Sequence, residues 1–456
     1  MLNNNGIEKF DGSIESIDWR SSAAIVGLIE YLNYFDCEYD SESNPDVLYY
    51  HIDDIDEDNY FSFVESKYPY DMHHFILENL LKQDDFTEED IKEINEKLKA
   101  NTIMKKIFSK LKFNGENKEE ILSVISKNRL VLTKETYRNK LNLYRNFANE
   151  NLLFSKPIPY ARLVGYYVDG PKKGKSVGYN FNKNTYFASD LQEYDFIPFA
   201  FTIGRESLFI NDNSSIQDLV ATNNQLKSLV KRIIEEEKFP DVRKVFFQAM
   251  VLSGEYIDFD VEVIVKNQNK DYFETLFLRK KSIEIFNKLT DFKCFCFFFK
   301  YDKINDYINI QKEVSDAIVN LTTLDYLIEI FLKEDHQRYE YLIQRLIEVN
   351  VRVRGGERMF SEIKQAKECA KKIVQTKKLL NPQKVKSYRT KLSSALVFKD
   401  YIRYCDILIQ LANYAEVELD FAYKLFDNFE ENKEIAYAFV NALGTGLNNK
   451  EDGKNE

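Results

Sequence analysis

Apolar and polar positions follow two rhythms along this chain. Small residues give way to Ile25, Leu28, Ile29 and Leu32, the three-and-four spacing of one buried helix face, with Asp18 or Ser21 placed to cap it. Residues 47–52 read as a strand, an acidic stretch covers 53–58, and helical spacing then runs over roughly 71–150. From 162 to 210 the pattern shortens. Residues 163–168 and 177–187 flank Asp169-Gly170-Pro171-Lys172-Lys173-Gly174-Lys175, which predicts a hairpin with a glycine-rich basic tip. Residues 194–213 predict two strands separated at Gly204, and 216–237 a helix, with further strands at 245–252, 256–265 and 292–299. After 310 every pattern is helical, over 313–334, 336–350, 357–380, 383–415, 416–429 and 431–443, with Asn381-Pro382 ending one helix and starting the next. The expected fold is α+β. A mixed α/β N-terminal body with an antiparallel sheet covers 1–310, and an all-α helical bundle covers 311–456.

Charge changes this picture most within 352–403. That stretch holds 15 Lys and Arg against 4 acids, a net +11 in a chain whose total is −11. Such asymmetry marks a local polyanion-binding surface on an otherwise acidic chain. Met359, Ile363, Ala366, Ala370, Ile373 and Val374 keep helical spacing through it, while Lys364, Lys367, Lys371 and Lys378 share another face. A row of ammonium groups held this way can neutralise phosphates and release their counterions. The plain alternative is a solvated helix face, but such faces usually interleave Glu with Lys, and this one largely does not. Arg352, Arg354 and Arg358 sit around Gly355-Gly356, which reads as a hinge, and Lys386, Arg389 and Lys391 extend the basic run. Two further basic features are the hairpin tip with Lys172, Lys173 and Lys175, and a weaker cluster containing Lys127 and Arg129 together with Lys134, Arg138, Lys140 and Arg145. An ordinary exposed surface explains either of them equally well.

Other chemistry is sparse. No window approaches the roughly 18 apolar residues of a membrane span, and the first residues lack a signal-like pattern, so a cytoplasmic protein is expected. The five cysteines are scattered, and Cys294 and Cys296 point to one face of an expected strand. No second pair or matching histidine spacing makes a zinc site, so reduced core cysteines are expected. The chain has no P-loop, GxSxG or HExxH motif. The best catalytic reading takes Asp258, Asp260, Glu262 and Lys266 on one strand face as a magnesium nuclease. The lysine lies four residues after Glu262 rather than two, and an alternating strand face explains the same residues.

Three stretches carry a family resemblance. Asp18-Trp19-Arg20-Ser21-Ser22-Ala23-Ala24-Ile25-Val26-Gly27-Leu28, the central Ile197-Pro198-Phe199-Ala200-Phe201 followed by 206–213, and the closing Ile435-Ala436-Tyr437-Ala438-Phe439-Val440-Asn441-Ala442-Leu443 resemble the large subunits of type I CRISPR interference complexes, nearest the I-A and I-B branches. The resemblance implies a non-enzymatic Cascade subunit beside the crRNA 5′ handle, in contact with the backbone and small subunits. Such a subunit recognises the protospacer-adjacent motif (PAM) on duplex DNA and helps open it. Its C-terminal bundle, similar to the small subunit, holds target or displaced strand, and a helicase-nuclease is recruited. The residues at 352–403 would be the strand-holding surface, with Lys172, Lys173, Lys175, Lys127 and Arg129 near the duplex. Some relatives carry a four-cysteine zinc element that this chain lacks, so the resemblance implies neither metal nor cofactor. A freestanding defence nuclease and a scaffold for an acidic protein are the competing readings.

Overall fold

The computed structural model describes residues 9–166, 190–236, 248–250, 257, 259–289, 292–301, 305–334, 336–376, 379 and 381–451. The fold is α+β, with small antiparallel sheets and many helices. Its contacts gather into two compact units, Met1–Val242 with Val261–Phe277, and Arg243–Asp260 with Leu278–Glu456.

The first unit is built on a buried helix. β1 (Gly12–Glu15) leads into α1 (Trp19–Tyr34), then β2 (Tyr39–Asp40) and β3 (Val47–Tyr50), with β3 central between β1 and β2. Asp18 caps α1 through the backbone N–H groups of Arg20 and Ser21, and Ser21 closes the reciprocal capping box. α1 is apolar on nearly every side because α2 (Glu57–Lys67) and the later helices Ile197–Ala200 and Ile216–Glu236 also pack on it. α3 (His73–Leu80), α4 (Glu88–Lys97), α5 (Thr102–Phe108) and α6 (Lys118–Asn139) form a lobe with its own core of Leu77, Ile94, Met104, Phe108 and Ile125. α7 (Tyr144–Phe147), α8 (Ile197–Ala200), β4 (Glu206–Asn211), α9 (Ile216–Glu236), β5 (Val261–Asn267) and β6 (Glu274–Leu278) follow, with β5 central in the β4–β5–β6 sheet and antiparallel to β4.

The 194–213 expectation is half corrected. Its second strand is β4, but its first strand is a 3₁₀ turn and then α8, because Pro198 presets the helical φ of a first turn. The 3₁₀ turn that leads into α8 passes so close to α1 that a Cβ on Gly27 would lie 2.0 Å from the Phe196 carbonyl oxygen. A second correction concerns 163–168, where the described residues make only an isolated bridge, Ala148 to Leu163. Beneath it Arg162 is fully buried between Asp190 (3.0 Å) and Asp195 (2.8 Å).

In the second unit α10 (Lys280–Asn287) is followed by the hairpin β7 (Phe298–Tyr301) and β8 (Asp306–Asn309). The bundle comprises α11 (Ile310–Asn320), α12 (Asp325–Lys333), α13 (His336–Arg354), α14 (Met359–Gln375), α15 (Pro382–Val397), α16 (Tyr401–Ala415), α17 (Ala422–Asp427) and α18 (Phe429–Glu451). The closing 435–443 motif is the buried middle of α18, on which α13, α14, α15 and α17 pack. The expected helix 313–334 is two helices separated by Leu321 in the left-handed region. The expected helix 383–415 breaks at Lys399 (φ +55°), after which Asp400 caps α16. Cys294 lies in a 3₁₀ turn rather than on a strand, residues 248–250 are helical, and all five cysteines are free thiols. Among the described residues no helix is long and apolar enough to cross a membrane.

Candidate nucleic-acid interface

α14 presents the basic face its spacing predicts. Ile363, Ala366, Cys369, Ala370, Ile373 and Val374 are buried, and the helix packs on α18. Lys364, Lys371 and Lys372 are exposed and make no hydrogen bond or ion pair among the described residues. Lys367 is half-buried. Burial and then Lys371 push its ammonium below the usual lysine range, while Glu348 and Glu340 oppose this. On α15, burial pushes the Arg389 guanidinium down to about 10, with Glu340 opposing. One Arg389 nitrogen donates to the Leu332 carbonyl at 3.1 Å, and its buried Nε has no partner among the described residues. Glu340 is held above its usual range by burial, against the pull of Lys371, Lys367 and Arg389. Three cations thus act on one carboxylate, a partly desolvated surplus of positive charge in which a further anion is attracted more strongly than at an open surface.

The α13–α14 junction is a second basic feature. Gly355 takes a left-handed turn (φ +73°), and a cavity of about 650 Å³ opens beside it with Lys281, Lys288, Arg352 and Arg358 on its wall against Glu284 and Glu357. Arg352 is fastened to Glu348 (2.7 Å) and lies over the Phe360 ring, and Lys288 pairs with Glu357 at 2.7 Å. Lys281 donates to the Val353 carbonyl at 2.7 Å. Arg358 is exposed and unpaired among the described residues. Lys281 and Lys288 escaped the sequence reading because they lie about 70 positions from the arginines they join.

The other expected cations divide into free and committed. Lys386 is exposed without a partner among the described residues, and Lys391 lies over the Tyr388 ring of its own helix. Arg354 donates through Nε to Glu434 at 2.8 Å, inside the bundle. In the first unit Lys127 is exposed and free, but Arg129 is clamped by Glu65 and Glu78. Lys134 pairs with Glu57, and Lys140 with Asp71 at 2.6 Å, so most of this cluster is neutralised within the fold. Lys378 and the hairpin tip with Lys172, Lys173 and Lys175 lie outside the described residues, as does Asp258.

The carboxylates of the nuclease reading have other partners. β5 begins only at Val261, and Asp260 before it accepts the Lys280 N–H at 2.8 Å. Glu262 accepts from Asn211 at 2.8 Å. Lys266 is buried, and its ammonium donates to Asn146 (3.1 Å) and to the Asn267 (2.9 Å) and Lys270 (2.5 Å) carbonyls. Burial depresses it to about 8. β5 is therefore a mostly buried strand rather than an alternating polar face.

The chain is thus an α+β protein whose helical bundle carries, among the described residues, exposed cations without internal partners. The motifs that resemble CRISPR large subunits supply its structural framework, as the cap of α1, the α8 contact and the centre of α18. The chain belongs to the family described as CRISPR-associated protein Csx8, whose model matches residues 10–443. No curated protein and no solved structure matches it.

Proposed function

We propose that this chain is a non-enzymatic large subunit of a Cascade-type surveillance complex, and that the basic face of its bundle holds a nucleic-acid strand. The observation that carries the reading is that Lys364 and Lys371 on α14 and Lys386 on α15 are free of internal partners among the described residues, with the half-buried Lys367 and Arg389 both acting on Glu340. Family membership supplies the CRISPR setting. In this reading the chain contacts crRNA and the backbone and small subunits in the cytoplasm. It recognises the PAM on duplex DNA, supports R-loop formation with the bundle, and helps recruit the helicase-nuclease. Phosphate contacts by lysines position a strand without reading it, so sequence choice falls to guide pairing and a short motif.

Expression with the native operon, purification through this chain and sequencing of bound RNA tests the proposal. Uniform short RNAs with a repeat-derived 5′ handle, in a stable multi-protein particle, are the expected result. A chain that purifies alone and free of RNA overturns it.

A further inference from the structure

The helical lobe of the first unit is hollow on one side. A cavity of about 720 Å³ is walled by Lys106 of α5, Arg138 of α6, Lys140 just after it and His73 at the start of α3, with Glu135 the one acid on that wall. Buried polar atoms nearly always have a hydrogen-bond partner. Here Arg138 Nε and His73 Nδ1 are buried and have none among the described residues. Among the described residues the one partner of the Arg138 guanidinium is the Glu135 carboxylate at 3.2 Å, and that same oxygen is shared with Asn139. Lys106 is exposed and makes no ion pair among the described residues. Burial and then Lys140 and Lys97 push the His73 imidazole below its usual range, so near neutral pH it can offer an N–H without adding charge.

We propose that this cavity binds a phosphate group, with Arg138 and Lys106 as its charged contacts and His73 as a neutral donor. Three donors on three separate elements suit an anion with more than two acceptor oxygens, which favours phosphate over a planar carboxylate. Glu135 opposes the anion, so occupancy depends on the cations prevailing over it. The phosphate comes either as a small molecule or within a nucleic-acid strand. The site stands on first-unit residues alone and fails or holds independently of the bundle.

The test titrates the full chain calorimetrically at low salt with two probes, inorganic phosphate and a 12-nucleotide single strand lacking a terminal phosphate. The strand is titrated on a background carrying Lys364→Glu, Lys371→Glu and Lys386→Glu. Arg138→Met and Lys106→Ser each weaken binding of at least one probe by about tenfold, and Glu135→Gln strengthens it. Loss with phosphate alone assigns a small-molecule site, and loss with the strand assigns a backbone contact. Lys106 is exposed, so its replacement leaves folding intact. Equal binding of each probe by its parent protein and by the Lys106→Ser variant of that parent, or no binding of either probe by its parent, overturns the inference.

Discussion

Arg354 and Glu434 provide the sharpest test of which cations the fold keeps for itself. Glu434 is fully buried in α18, only one of its oxygens is paired, and that pairing is with Arg354 at 2.8 Å. Burial raises its pKa, and Arg354 is the leading influence in the other direction. Arg354→Met removes the compensating charge. Breaking a buried pair costs about 3–5 kcal/mol, and the partial exposure of Arg354 places this case near the lower end, at about 3 kcal/mol. For a unit of this size the melting midpoint should fall by roughly 6–12 °C. The pH dependence has a definite sign. A carboxyl whose folded pKa lies above its unfolded value favours the folded state while protonated and loses that advantage as pH rises through the folded pKa. The gap between wild type and Arg354→Met is therefore widest near neutral pH and narrows on acidification, and adding Glu434→Gln to the variant closes most of it. Thermal melts of the three proteins at pH 7.5 and 5.5 measure this. A variant melting within 1 °C of wild type at pH 7.5, or a gap indifferent to pH, refutes the account of the pair.

Three other substitutions probe the framework. Gly27→Ala drives a methyl group into the Phe196 carbonyl and should cost about 3 kcal/mol or more, read from the thermal melt of the full chain; a melt like wild type's contradicts the close approach. Arg162→Lys keeps the charge but loses the fork that spans Asp190 and Asp195, with an expected loss of about 3 kcal/mol by the same readout. Lys266 is a lysine with a depressed folded pKa of about 8, so wild type should gain stability relative to Lys266→Met as pH rises from about 8 toward the usual lysine range. No such gain would contradict the burial of this ammonium.

Local signals in the sequence were sufficient where one helix face or one cap decides the structure. The stripe of α14, the cap at Asp18 and the strand at β4 all follow from residues within a few positions of one another. The run 194–200 was misread because its aromatic residues suit a strand, although Pro198 already argued for a helix start. The break at Lys399 carried only the weak mark of Asp400 as a cap. Ion pairing was not legible at all. Arg129 finds Glu65 and Glu78, and Arg354 finds Glu434, across separations that periodicity does not encode. Charge counting treated every lysine and arginine alike, whereas the fold spends Arg129, Arg354, Lys134 and Lys140 internally and leaves Lys364, Lys371 and Lys386 free.

Those three free lysines concentrate the central claim. The complex assembled with Lys364→Glu, Lys371→Glu and Lys386→Glu is compared with wild type for loading of target DNA across a salt series, alongside its melting temperature and subunit content. With single-strand contacts each worth about 0.7 in the logarithmic salt slope, losing three should flatten the slope by about 2 and weaken loading at least tenfold near physiological salt. Assembly and melting should stay as in wild type, since these side chains have no internal partners among the described residues. Equal loading and an equal salt slope, in a folded and fully assembled variant, would contradict the assignment of this face to nucleic acid.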